Sequence, residues 1–291
     1  MASARLRLGI YLAVSYTLAY AIDFTLALPL LTSKTLTGTL AAIPVLLARM
    51  YTPTLGALAG LQLEGAPGGI REKLGRIGLR DPGPRWILAG AGMAVAGLAL
   101  SLILSPLLGL SVGRCGSLKL VSVPVLILLG VLGFIAGITV NLIAALGEEL
   151  GWRGYMHVLL VRETGSTLLT GLIVGVAWGL WHAPLIYAGY NYGLGGLAYC
   201  GAPSKGLTAV AVFTAFTAML GVIMALLRER SQSVIPSAAM HGTLNGLSGL
   251  VAGLVVGPRI LAPPAGLAGI AGYTVLLPLV YVVASRVEGK A

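Results

Sequence analysis

The recurrence of long apolar runs constrains this chain more than any other feature. A helix crossing the hydrocarbon layer needs about 20 mostly apolar residues, and runs of that order follow one another along the whole sequence. Eight can be traced, roughly over residues 6–31, 36–61, 86–110, 121–150, 167–188, 207–227, 234–256 and 264–285. They are continuously apolar rather than alternating, which selects helices over a barrel, because backbone groups in lipid must pair within the chain. With 57% hydrophobic and only 10% charged residues, a soluble globular domain is excluded. The expected fold is all-α: one polytopic transmembrane domain with about eight helices over residues 1–291. The first run is too long for a removable signal peptide and is read as a permanent span.

The net charge of +10 would suggest nucleic acid in a soluble protein, but in a membrane protein the placement of Lys and Arg reports orientation instead. On an eight-span scheme, 13 of the 19 cations, from Arg5 and Arg7 through Arg71–Arg85, Arg153, Arg162, Arg228 and Arg230 to Lys290, fall on one side. Five, Lys34, Arg114, Lys119, Lys205 and Arg259, fall on the other, and Arg49 is left inside a span. Both termini are therefore placed in the cytoplasm, and no nucleic-acid partner is expected; membrane lipids are the expected surroundings. Cys115 and Cys200 both land in extracytoplasmic loops, where a bridge and two separate thiols are equally compatible with the sequence. Residues 64–85 read as a cytoplasmic connector, and residues 153–166, with Arg153, His157, Arg162 and Glu163 among apolar residues, read as an interfacial or re-entrant helix.

Ionisable residues within a span cost about 2.5–3.5 kcal/mol each on insertion scales, so the few present need a reason. The first group is Glu148-Glu149 with Arg153. Four-residue spacing lets Glu149 pair with Arg153 on one helix face, with Glu148 rotated about 100° away and Trp152 on the Glu148 face, where it would keep water off the carboxylate. A helix end at the membrane surface explains the same residues equally well. The second group is Trp178 and His182, on one face of the fifth run and followed by Pro184, which frees backbone carbonyls beside a bend. A packed, satisfied histidine is the structural alternative. The third is His241 and Asn245, again four apart, for which helix–helix hydrogen bonding is an equal reading. Together they offer a carboxylate and an imidazole to activate water, and a second imidazole with a carboxamide to donate to an oxyanion.

At these residues the sequence resembles the CAAX prenyl protease 2 type, Rce1-like family of intramembrane proteases. The family pattern is Glu-Glu-x-x-x-Arg, an aromatic residue ahead of a His, and His-x-x-x-Asn, matched here by Glu148, Glu149 and Arg153, by Trp178 and His182, and by His241 and Asn245. Trp178 stands where the family usually has Phe. The resemblance implies that Glu148 and His182 activate the attacking water, that His241 and Asn245 form the oxyanion hole, and that Glu149, Arg153 and Trp178 support them, without metal or cofactor. It implies a lipidated, prenyl-cysteine CAAX-like peptide as substrate, in a cavity open to the cytosol.

Other readings remain. Two His and a Glu would also serve a zinc-dependent membrane hydrolase, although no His-Glu-x-x-His pair is present and Asn245 is a poor ligand. A transporter would use the same intramembrane charges but predicts an inverted repeat that is not evident, and an immunity or scaffold protein would need no chemistry at all. The shared site carries a geometric demand. Glu148 is read near a helix end, whereas His182 lies roughly 22 Å into the next run at helical rise. Residues 153–166 must dip back, the spans must tilt, or the helix limits must differ from those read here. Asp23 and His157 receive no assigned role, the latter read as a solvated interfacial histidine.

Overall fold

Every apolar run becomes a helix, but the runs do not all become helices of spanning length. The computed structural model describes residues 4–33, 35–66, 68–190, 201–202 and 204–288; Lys34, Cys200 and Lys290 lie outside these. Four helical stretches are long and apolar enough to cross a membrane: Ala4–Thr32, Leu36–Leu63, Pro84–Leu108 and Gly206–Ser231. A fifth forms if Val123–Ile138 and Val140–Thr164, bent by 43° at their junction, are taken as one. The remaining runs fall on the shorter helices Thr167–Trp181 and Ile235–Ala252 and on Leu267–Glu288. The fifth run is cut short at His182, and the seventh is diluted by Ser237, His241, Thr243, Asn245 and Ser248. The protein is thus a polytopic helical membrane protein with four to five candidate spans plus shorter apolar helices. Among the described residues, the exception to helix is a two-residue antiparallel pair, Ser111–Val112 with Val255–Val256.

The clearest departure from the sequence reading concerns the fourth run. Its helix does not stop near Leu150. It continues as a π-helix over Leu150–Met156 and as an α-helix over His157–Thr164, ending where Gly165 adopts a left-handed φ of 62°. Ser166 then caps the next helix, its Oγ accepting from Leu169 N at 3.2 Å. Residues 153–164 form the second half of this helix, and its inner turns are buried, including Arg153 and His157.

Glycine sets a close helix crossing. Gly171, Gly175 and Gly179 recur every fourth residue on Thr167–Trp181 and lie against Gly206–Ser231. A Cβ on Gly175 would sit 2.4 Å from the Thr217 carbonyl oxygen, and one on Gly221 would sit 2.3 Å from that of Gly171. This is the small-residue spacing by which membrane helices approach backbone to backbone. The connector between the second and third spans also packs inward: it forms the helix Ile70–Arg76, and beyond it the Gly78 carbonyl accepts from Val234 N at 2.9 Å while Arg80 O accepts from Ser233 Oγ at 2.6 Å. Cys115 is disulfide-bonded.

Gly175→Val presses a Cβ against the Thr217–Ala218 backbone, and no rotamer relieves it. It is expected to destabilise the protein by about 1–3 kcal/mol, read as a lowered thermal midpoint in detergent, with the same substitution at exposed Gly92, which meets nothing within 4 Å, leaving the midpoint unchanged.

Candidate active site

Glu148 lies well inside its helix because that helix runs on to Thr164. From residue 148 to 164 is about 24 Å at helical rise, close to the depth of His182 below the turn at Gly165–Ser166. The two antiparallel helices therefore bring carboxylate and imidazole to one level, and the demand left by the sequence is met by a shift of helix limits.

Glu148 is 2% exposed, and its Oε2 accepts a hydrogen bond from Trp178 Nε1 at 2.6 Å. Trp178, not Trp152, is therefore the aromatic partner of this carboxylate. The π-helix beginning at Leu150 turns through less than 100° per residue, so the four-residue rule does not carry from Glu148 into it. Trp152 instead packs edge-on against Tyr11, Tyr16 and Trp181.

Glu149 does pair with Arg153, at 3.0 and 3.1 Å, and both are fully buried. Its Oε1 also meets His241 Nδ1 at 3.0 Å, so one carboxylate joins the fourth and seventh runs. Arg153 lies with its Cζ 4.5 Å from the centre of the Trp178 ring, which in turn stands edge-on to His241 at 5.0 Å. His182 Nδ1 is 2.9 Å from the Trp178 carbonyl oxygen. A carbonyl only accepts, so Nδ1 carries the proton and a neutral His182 keeps Nε2 as an acceptor. His241 Nδ1 likewise faces the Glu149 carboxylate, which only accepts, so Nδ1 carries a proton and Nε2 is left for the cavity.

Glu148, His182, His241 and Asn245 line one cavity of about 410 Å³, within the range of ligand sites. Its other walls are largely apolar, with Leu31, Ile43, Leu185, Phe213 and Leu244 among them. Two lining polar residues were not singled out from sequence. Asn141 stands seven residues before Glu148, a two-turn spacing that places both on one face. Arg49 was noticed only as a charge within a span; it forms a bidentate pair with Asp23, Nη2 to Oδ2 at 2.9 Å, which supplies the partner missing for Asp23. His157, expected to be solvated, is buried with Nε2 2.7 Å from Glu229 Oε1; Glu229 lies on another helix, so no local spacing announces the pair. No group of three or more His, Cys, Asp or Glu side chains positioned to hold a metal ion occurs among the described residues, so the zinc reading finds no donor set there.

The fold and cavity define a class: a polytopic helical membrane protein whose polar centre combines a buried carboxylate, two imidazoles and a carboxamide. The family expected from the motifs is the one the chain matches, since residues 130–247 fit the family model of type II CAAX prenyl endopeptidase, Rce1-like, a family of proteases. The chain is also 39% identical over 59 residues to the CAAX prenyl protease 2 of Methanococcus maripaludis, an alignment covering 20% of this chain and 21% of that protein. The chain thus matches about a fifth of that curated relative's length.

Removing the Glu149 carboxylate leaves Arg153 charged, buried and unpaired. Glu149→Ala is expected to cost about 3–5 kcal/mol of stability, measurable as thermal unfolding in detergent.

Proposed function

We propose that this protein is a glutamate-dependent intramembrane endopeptidase that removes a C-terminal peptide from a lipidated, prenyl-cysteine CAAX-like substrate. One observation carries the reading: Glu148, His182, His241 and Asn245, from three separate helices, line a single cavity. Water held between Glu148 and His182 Nε2 loses a proton to Glu148 as its oxygen attacks the scissile carbonyl carbon. The oxyanion that forms accepts hydrogen bonds from His241 Nε2–H and the Asn245 amide. Collapse breaks the C–N bond, and Glu148 returns the proton to the leaving amine. Trp178 holds the second oxygen of Glu148, leaving one oxygen for the water, and Glu149 holds the His241 ring with Nε2 toward the cavity. The apolar wall suits a lipid chain, each buried methylene contributing about 0.8 kcal/mol.

The proposed topology keeps eight membrane-crossing segments in one domain with cytoplasmic termini, on the charge distribution. The cavity is lined by Leu31 and Tyr190, which lie at the helix ends opposite those bearing Arg7, Arg162 and Arg230.

Purified protein is expected to cleave a fluorogenic farnesylated CAAX peptide, and Glu148→Gln is expected to lower kcat by about 10²–10⁴-fold with the thermal midpoint retained. Equal rates in the wild type and in Glu148→Gln, His182→Ala and His241→Ala would remove the assignment. Orientation is tested separately in intact cells with a membrane-impermeant maleimide: Leu31→Cys is expected to react and Arg71→Cys to react only after lysis, and the reverse pattern would overturn it.

A further inference from the structure

We infer that Arg49 is the anion-recognition residue of the cavity and binds a carboxylate of the bound peptide, its free C-terminus. The inference rests on the reading of the cavity as a peptide site.

A guanidinium has five N–H donors, and most of those of Arg49 are accounted for. Nε and Nη2 grip the two oxygens of Asp23, and Nη2 also donates to the Trp181 carbonyl at 2.8 Å. The ring of Trp181 covers one face of the group, with Cζ 3.6 Å from its centre. Nη1 makes no hydrogen bond with any described residue, although the residue is only 3% exposed and lines the cavity beside Glu148 and His182. An ion pair serving only to tie the first two spans together has no reason to face a cavity, and a buried guanidinium with one arm free is costly.

Asp23 itself begins a π-turn, Asp23–Ala27, inserted in an otherwise α-helical span. Such turns re-aim side chains and recur at functional sites. Here Asp23 and the Trp181 carbonyl hold the guanidinium rigid before any ligand arrives, so little ordering is required on binding. The remaining Nη1–H₂ edge sits in an apolar chamber, where a charge-assisted bond to a carboxylate is strong. Arg49 reaches the cavity from the second span, whereas His241 and Asn245 reach it from Ile235–Ala252. Recognition of the terminal carboxylate and stabilisation of the oxyanion are therefore assigned to different helices.

The test compares two dansylated farnesyl peptides, identical except for a C-terminal acid or amide, by fluorescence binding to detergent-purified wild type, Arg49→Lys and Arg49→Gln, with cleavage measured in parallel. The wild type is expected to prefer the acid by about tenfold or more. Arg49→Gln is expected to bind both peptides with the affinity the wild type has for the amide, and Arg49→Lys to keep part of the preference. Equal wild-type affinities would overturn the inference, as would an acid preference that survives in Arg49→Gln, or loss of both peptides in that variant, which marks a purely structural tie. Acid preference lost with Arg49 but no cleavage of either peptide would sink the peptidase reading and leave the carboxylate site standing.

Discussion

The Glu149 carboxylate is the contact on which the polar centre depends. It receives Arg153 from its own helix and His241 from the Ile235–Ala252 helix, and all of these groups are buried. Taking such groups out of water is costly unless each finds a partner, so the three stabilise one arrangement and oppose others. Because His241 is held through Nδ1, its Nε2 is left for the cavity. The neighbouring carboxylate, Glu148, is bound by Trp178 rather than by a cation, so two adjacent acids have distinct environments. One is committed to structure and the other lines the cavity.

Two π-helical stretches place the charges. The turn at Leu150–Met156 follows directly on the acidic pair and directs Trp152 into the aromatic cluster with Tyr11 and Trp181. The turn at Asp23–Ala27 presents Asp23 to Arg49. Trp181 links the two regions: it packs on Trp152, stacks under Arg49 and immediately precedes His182. Glycines 171, 175 and 179 clamp its helix against Gly206–Ser231 on another side, so the position of His182 is decided by backbone packing as much as by polar contacts.

Much of this was legible in the chain. Helices were read in the right places because apolar runs of spanning length admit few alternatives in lipid. The Glu149–Arg153 pair was readable from local spacing. The glycine ladder on Thr167–Trp181 was equally visible in sequence and was not used. The length of the fourth helix was not legible, because Arg153 and His157 look like a polar interface until Glu149 and Glu229 are seen to pair with them. The pairing of Glu148 with Trp178 was hidden by the π-turn, which breaks the 100° arithmetic applied to Trp152.

By itself the sequence determined that the chain is helical, that it lives in a membrane, and which few residues the bilayer would tolerate only for a purpose. Those conclusions follow from composition and from spacing within one helix, which are local properties. The tertiary structure alone decided which of those residues meet: that Glu148 and His182 share a depth, that Glu149 reaches His241, and that Asp23 finds Arg49. Such contacts join residues 26 to 92 positions apart. Where helices end and how they cross is set by global packing, which no local periodicity encodes.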